Sequence, residues 1–271
     1  ILYQQNQWKP ITSDNLLAWF LPFLSNTQKQ TFENEGQVDT ALTLSCGQRL
    51  RVNLFRQQKG VSAVLRIIET QIPSLDKLRV PKSVSTLLDN YSHGLILVTG
   101  ATGSGKSSTL AAMINHLNQY QRQHILTLED PIEFIHSNKQ SIVQQREIGR
   151  DVQHTENAIK SALRQDPDVI MLGELRDAQS IQLALTAAET GHLVLATLHT
   201  QGAAQTLERV TNVFTGNERQ WISSQLACSL RAIISQELVS STEGGRVALF
   251  EIMQVTQGIS HLIREGKYHQ V

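Results

Sequence analysis

The chain has 271 residues, of which 40% are hydrophobic, and its 24 basic residues are balanced by 24 acidic ones. This length and apolar content allow one large or two modest domains with a buried core, and they exclude a disordered chain. The zero net charge excludes a global positive field of the kind that drives non-specific binding to nucleic acid or to an anionic membrane.

Neither a membrane span nor a disulfide framework is indicated. The longest apolar stretch, Leu16 to Leu24, is about half the length needed to cross a bilayer and is interrupted by Pro22. No signal peptide opens the chain, and Cys46 and Cys228 form no C-x-x-C pair. We therefore expect a cytoplasmic location and no cysteine zinc site.

The first part of the chain predicts a small α+β domain. Helical periodicity covers Asn15 to Leu24 and Asn26 to Glu33, and alternating stretches follow at Thr40 to Leu44, Leu50 to Phe55 and Val61 to Ile68. If the last two stretches are joined by a two-residue turn, their register is fixed by that turn.

Between Glu69 and Pro81 the periodicity lapses into polar residues and prolines, which is typical of a short interdomain connection. We place the boundary near residue 75, which gives domains of residues 1–75 and 76–271. Because the chain begins at Ile1 rather than Met and stops at Val271 without a helix-ending signal, we expect it to be the ordered portion of a longer protein.

After this connection, apolar β-type runs alternate with helical periodicity. The runs are Leu95 to Thr99, Ile125 to Leu128, Val169 to Leu172 and Leu193 to Leu198, with helices predicted to begin at Lys106, Thr155 and Asp177. Such alternation predicts an α/β fold with a mainly parallel sheet covered by helices.

A phosphate-binding loop follows the first of these runs. Residues 100–107, GATGSGKS, match G-x-x-x-x-G-K-[ST] between a predicted strand and a predicted helix. Its glycines let backbone N–H groups point at phosphate oxygens, Lys106 adds a positive charge, and Ser107 supplies a hydroxyl for Mg²⁺. The predicted nucleotide-binding residues are Gly100, Ala101, Thr102, Gly103, Ser104, Gly105, Lys106, Ser107 and Ser108.

Acidic residues follow the next two runs. Glu129 and Glu133 come after the second run, and Glu174 comes after the third. Ligands collect at such strand ends in an open α/β sheet, and phosphoryl transfer needs an acid near the metal and a base that orients water. Gly173 stands where an ordinary Walker B strand carries its Asp, so Glu174 must serve the metal alone, through a metal-bound water.

Two histidines flank the fourth run. His199 comes directly after it, at the ligand-facing end, where it is placed to sense the terminal phosphate. His192 precedes the run and is expected to anchor its turn.

Four motifs come in an order that resembles the secretion ATPase superfamily. They are GATGSGKS at 100–107, EDPIE at 129–133, DPDVIMLGELRD at 166–177 and TGHLVLATLHT at 190–200, which look like its Walker A, Asp box, Walker B and His box. Within that superfamily the chain is most similar to the PilT type, the type IV pilus retraction ATPases, through RLRVN at 49–53, ALTAAE at 184–189 and GRVALFEIM at 245–253.

This resemblance implies a PAS-like N-terminal domain, a RecA-like core and a homohexamer that couples hydrolysis of ATP, with Mg²⁺, to motion. It implies an inner-membrane platform protein of a pilus or secretion machine as the partner, at the cytoplasmic face of that membrane. It assigns Glu133 as the base, with Glu129 as the alternative, and Glu174 as the metal-side acid.

Three departures qualify the resemblance. The tetracysteine zinc module of the assembly ATPases PilB and GspE has no counterpart, which favours the retraction type. The family helix A-I-R-N-L-I-R-E reads GISHLIRE at 258–265 and keeps only its second half, so the direction of motion stays open. The family's opening strand and helix and its terminal helices have no counterpart, so we expect both domains to be incomplete.

A pair of arginines completes the predicted site. A hairpin that turns at Gln58-Lys59 sets Arg51 directly opposite Arg66, and like charges in that position repel unless an anion lies between them. We expect both to act as arginine fingers on the nucleotide of a neighbouring subunit. The alternatives are solvated arginines, a local Glu as partner, or a turn at Lys59-Gly60 that separates the pair.

Two other functions remain open at this point. A nucleic-acid translocase on a RecA-like core is disfavoured because the chain has no basic surplus and only 5% aromatic residues, so no nucleic-acid partner is expected. A nucleotide-binding relative with little turnover is disfavoured because the expected catalytic residues are present.

Overall fold

The computed structural model describes residues 2–4, 7–9, 11–68, 71–242 and 244–271, with the backbone alone at 2–4 and 7–9. Strands β1 (Leu2–Gln4) and β2 (Gln7–Lys9) form an antiparallel ribbon. Glu69, the first residue of the predicted interdomain connection, lies outside the described residues.

The predicted small α+β unit is present. Its elements are α1 (Ser13–Phe20), a 3-10 turn (Leu21–Phe23), α2 (Asn26–Glu35), β3 (Gln37–Thr43), β4 (Arg49–Gln57) and β5 (Gly60–Ile68). The three strands form an antiparallel sheet in chain order, and Val52 and Leu54 of the central strand are buried against Phe20 and Phe32 from the helices. The helix predicted to reach Leu24 is shorter, because Pro22 lies in the tighter turn that ends it.

The second unit is built on a seven-stranded sheet. Its elements in the first half are α3 (Lys82–Asn90), β6 (Gly94–Thr99), α4 (Lys106–Tyr120), β7 (His124–Glu129), β8 (Ile142–Glu147), α5 (Thr155–Ala162) and β9 (Val169–Leu172). Those in the second half are α6 (Ala178–Glu189), β10 (Leu193–Leu198), α7 (Ala203–Asn212), α8 (Asn217–Ser229), β11 (Leu230–Ser240), β12 (Arg246–Gln254), α9 (Gln257–Arg264) and a 3-10 turn (Tyr268–Gln270).

The strand order is β12-β11-β6-β10-β9-β7-β8, and all neighbours are parallel except β11 and β12. Side chains of β6 alternate between two cores: Leu95 and Leu97 pack on one face of the sheet, and Ile96 and Val98 pack on the other. Helices therefore cover both faces, and the predicted α/β fold is confirmed. Strands β8, β11 and β12 had not been predicted from periodicity.

The predicted boundary near residue 75 separates two hydrophobic cores. Leu75 and Val80 pack in the core of the large sheet with α3 and α4, whereas the small sheet keeps its own core. The exact division of the chain into 1–75 and 76–271 stays a prediction. Within the described residues, no helix has the length and apolar character that crossing a bilayer requires.

Candidate active site

The phosphate-binding loop lies between β6 and α4, at the carboxyl end of the central strands, as the sequence predicts. Gly100 has a φ of 144°, and a Cβ atom there would lie 2.2 Å from the Gln236 carbonyl oxygen. The buried Gln236 side chain also donates to the Ser104 carbonyl at 2.6 Å. Strand β11 therefore packs directly against the loop and supports it. Only glycine fits at position 100.

Lys106 begins α4 and turns back over the loop. Its Nζ donates to the carbonyl oxygens of Gly100 at 2.8 Å and Ala101 at 3.0 Å. Burial lowers the pKa of the Lys106 ammonium, and the Glu174 carboxylate acts to raise it. The backbone carbonyl oxygens of the loop thus hold the Lys106 ammonium in place.

His199 links the loop to Glu174. Its Nδ1 lies 3.3 Å from Lys106 Nζ and 3.4 Å from the Thr102 hydroxyl, and its Nε2 lies 3.2 Å from Glu174 Oε1. One neutral tautomer satisfies both sides, because Nδ1 accepts from the ammonium while Nε2–H donates to the carboxylate. The predicted position of His199 at the ligand-facing end of β10 is confirmed, whereas His192 caps the opposite end, 3.0 Å from the Ala187 carbonyl oxygen.

Glu174 has both carboxylate oxygens engaged. Oε1 faces His199, and Oε2 accepts from Arg176 Nε at 2.9 Å, which is the main reason that the pKa of the Arg176 guanidinium is raised. Arg176 also lies 3.4 Å from Asp130 Oδ2. The carboxylates after β7 and β9 are thus tied together by an arginine that the sequence analysis had not singled out.

The donors present suit a Mg²⁺ ion that is shared with phosphate oxygens. Ser107 is exposed in the cleft, and Glu174 lines the same cleft. No group of three or more His, Cys, Asp or Glu side chains in the described residues could hold a metal ion. Mg²⁺ keeps several waters and is bound through one or two protein groups together with substrate phosphates, so the Ser107 hydroxyl and the Glu174 carboxylate are a sufficient set of protein donors.

The two candidate bases are held differently. Glu129 is almost fully buried, and its Oε1 accepts from Thr127 at 2.7 Å and from Gln145 at 3.0 Å. Burial raises the pKa of the Glu129 carboxyl. The Glu133 side chain is 29% exposed and lies 3.5 Å from Arg51 Nη1. Solvent thus reaches Glu133 more readily than Glu129.

The predicted arginine pair is present. Strands β4 and β5 pair with Arg51 opposite Arg66, around the two-residue turn at Gln58-Lys59. Both arginines line one cleft of about 580 Å³ together with Lys106, Glu133 and Glu174 of the same chain. The small sheet thus places both arginines in the same cleft as the phosphate-binding loop of their own chain. The expectation that they serve the nucleotide of a neighbouring subunit stays a prediction.

Two residues that support or line the cleft were missed from the sequence. Gln236 supports the loop from 132 positions away, so no local pattern connects the two. His136, whose pKa burial lowers to about 4, lines the cleft itself. The end of an apolar run at Ser235-Gln236-Glu237 in β11 was the available signal for Gln236.

Comparison with known proteins is consistent with this geometry. The family model for the type II/IV secretion system protein matches residues 28–270. The chain belongs to the type II/IV secretion system protein family. The match spans both the small sheet and the phosphate-binding unit.

Several relatives are similar over nearly the whole chain. The uncharacterized protein YggR of Escherichia coli is 51% identical over 97% of this chain and 79% of its own length. The type IV pilus retraction ATPase PilT of Pseudomonas aeruginosa is 45% identical over 97% of this chain and 76% of its own length. The crystal structure of the pilus retraction motor PilT with bound ADP superposes with a TM-score of 0.87 and 43% identity, over 94% of this chain and 74% of that one.

These similarities confirm the PilT type of secretion ATPase and the RecA-like core. ATP hydrolysis is thus the activity of this chain. Nucleotide binding agrees with the ADP in the PilT crystal structure. The roles of individual site residues stay predictions.

Proposed function

We propose that the chain is an ATP-hydrolysing subunit of the motor of a type IV pilus or of a related secretion system. The observation that carries the proposal is that the phosphate-binding loop, Glu174, His199, Glu133 and two opposed arginines face one cleft. The relatives named for pilus retraction support the choice of machine.

The residues divide the work of phosphoryl transfer. The backbone of residues 100–105 and the Lys106 ammonium hold the phosphates. Ser107 and, by way of water, Glu174 would hold Mg²⁺, which would supply positive charge to the transferred group. Glu133 orients the attacking water. His199 contacts both Lys106 and Glu174, so it couples the position of the loop to the position of Glu174.

When ATP binds, its terminal phosphate competes with the Glu133 carboxylate for the Arg51 guanidinium. In the structure its guanidinium lies 3.5 Å from the Glu133 carboxylate. A terminal phosphate carries more charge than one carboxylate and draws the guanidinium away, which frees Glu133 to accept a hydrogen bond from water. Arg51 and Arg66 then stabilise the charge of the transition state.

A homohexamer is the assembly that we propose, acting against a membrane platform protein at the cytoplasmic face of the inner membrane. The open edge of the small sheet supports an assembly. Its last strand, β5, exposes Val64, Leu65 and Ile67, the last with 73% of its surface accessible. An exposed apolar edge strand is a liability unless another surface covers it, and a second copy of the chain is the partner that we propose.

The test is ATP binding and hydrolysis by the purified chain and by Lys106→Ala. Removal of the ammonium loses a charged contact with phosphate, so we expect affinity for ATP to fall at least about tenfold and phosphate release to stop. Lys82→Ala, which removes an exposed lysine at the start of α3, is the matched control and is expected to behave like the unaltered protein. Unchanged ATP affinity in Lys106→Ala would rule out the loop as the nucleotide site.

A further inference from the structure

The backbone of Ile132, the residue before Glu133, is held on both sides. The Ile132 N–H donates to Glu147 Oε2 at 3.1 Å, and the Ile132 carbonyl oxygen accepts from Arg49 Nη2 at 2.6 Å. Glu147 is the last residue of β8 in the large sheet, and Arg49 is the first residue of β4 in the small sheet. The loop that carries Glu133 is therefore clamped between the two sheets.

The clamp is a partly buried contact. Glu147 is only 2% exposed, and burial raises the pKa of its carboxyl. Burial likewise lowers the pKa of the Arg49 guanidinium, and the Glu147 charge acts to raise it. A guanidinium that gives up hydration to reach a backbone carbonyl needs a well-aligned acceptor, and the Ile132 carbonyl is the acceptor that it has. This contact therefore carries more weight than an ion pair on the surface.

Arg49 and Arg51 act on neighbouring parts of the same loop. They are two residues apart on β4, so their side chains leave the same face of the strand. Arg49 holds the Ile132 peptide while Arg51 lies 3.5 Å from the Glu133 carboxylate. A movement of the small sheet therefore shifts the backbone and the side chain of the loop together.

We infer that Arg49 is a positioning residue that couples the placement of the N-terminal sheet to the placement of Glu133. The inference rests on the proposed role of Glu133 as the base. With the two sheets closed on each other, the Ile132 peptide is fixed and Glu133 faces the cleft. When the small sheet moves away, the Arg49 contact is lost and Glu133 leaves its position, so hydrolysis waits for closure.

The experiment compares Arg49→Gln with Arg56→Gln. Both remove one positive charge from β4, but Arg56 is exposed and its guanidinium lies over the Phe32 ring at 5.3 Å, within the small unit. Displacement of a catalytic group by about 1 Å can cost about a hundredfold in rate, so we expect kcat of Arg49→Gln to fall about a hundredfold with little change in ATP affinity. Arg56→Gln is expected to keep the kcat of the unaltered chain.

Two further readouts separate positioning from general destabilisation. Hydrogen exchange followed by mass spectrometry should show faster exchange of amides 130–134 in Arg49→Gln and unchanged exchange in Arg56→Gln. In a double-mutant cycle, Arg49→Gln should add almost nothing to the loss caused by Glu133→Gln, because it acts through Glu133. If Arg49→Gln fails to fold, Arg49→Met, which keeps the aliphatic stem, takes its place in both measurements.

The outcomes distinguish the inference from the function on which it rests. Slow turnover by Glu133→Gln together with normal turnover by the Arg49 variant overturns the coupling alone. A full additional loss in the Glu133→Gln background also overturns it, because Arg49 would then act elsewhere. Normal turnover by Glu133→Gln removes the proposed base itself.

Discussion

Glu133 and Glu129 stand four residues apart and differ in access to the cleft. Glu133 is partly exposed beside Arg51, whereas Glu129 is enclosed by Thr127 and Gln145. We expect Glu133→Gln to bind ATP normally and to lose turnover by at least about a hundredfold, the scale of a lost general base. Glu129→Gln should retain most of its turnover, since an amide oxygen can accept both hydrogen bonds. Steady-state phosphate release and ATP binding measure this, and the reverse order of losses would assign the base to Glu129.

Glu129 should also shape the pH dependence of stability. Because burial raises the pKa of its carboxyl, the native state holds the proton to higher pH than the unfolded chain does. Its contribution to the free energy of unfolding is therefore complete below about pH 4.5, the unfolded value, and is lost as the pH rises through the raised native value. In Glu129→Gln, the free energy of unfolding lacks this pH-dependent decrease. We expect the melting temperature of the variant minus that of the unaltered chain to increase between about pH 4.5 and pH 8. A difference that stays constant, or that decreases, would show that Glu129 is not buried as a carboxyl with a raised pKa.

At the scale of an element, the phosphate-binding loop contains two glycines that test different requirements. Gly100 and Gly103 both have positive φ, but an added Cβ would lie 2.2 Å from the Gln236 carbonyl oxygen at Gly100 and would meet nothing within 4 Å at Gly103. Gly103→Ala should therefore cost only the backbone strain, about 1–2 kcal/mol. Gly100→Ala adds a clash with the backbone of β11, so it should lower stability further and weaken ATP affinity. Thermal melts and ATP titrations of the two variants check this, and equal losses would contradict the support of the loop by β11.

The hairpin of the small sheet was predictable because its register depends on local chemistry. A two-residue turn at Gln58-Lys59 fixes every pair along both strands, so Arg51 opposite Arg66 follows from the turn alone. The alternation of Val52 and Leu54 inward correctly indicated the opposite face for the arginines. The edge strand β8 lacked such a signal, since its residues before Glu147 are exposed or only partly covered and its sequence does not alternate between apolar and polar residues.

At the scale of the whole molecule, the sequence does not determine where the arginines point. Their common face is a property of one strand, but their approach to the cleft depends on how the small sheet rests on the large one. Contacts such as Arg49 to the Ile132 carbonyl, 83 residues apart, set that arrangement. The contact between Gln236 and the phosphate-binding loop spans 132 residues. Motif and turn chemistry are local, whereas these contacts exist only after distant parts of the chain have packed together.

The cleft to which the arginines contribute can be decided in mixed rings. In the structure, Arg51 and Arg66 line the same cleft as Lys106 of their own chain. If they serve the nucleotide bound in that cleft, a chain needs all three residues to hydrolyse ATP. We expect Arg51→Gln to bind ATP nearly normally and to lose turnover by orders of magnitude, as arginine fingers do. Rings that mix Arg51→Gln with Lys106→Ala chains should then stay inactive, because no chain in them has a complete cleft.

The opposite result has a clear meaning. If the arginine served the neighbouring chain, an Arg51→Gln chain with its intact loop would receive the finger of a Lys106→Ala neighbour, and activity would partly return. Rings of the unaltered chain mixed with Lys106→Ala form the control, since their residual activity shows that a ring tolerates inactive members. With mixed rings demonstrated by native mass spectrometry, recovered phosphate release would place the fingers between subunits. Continued inactivity beside an active control would place each complete cleft within one chain.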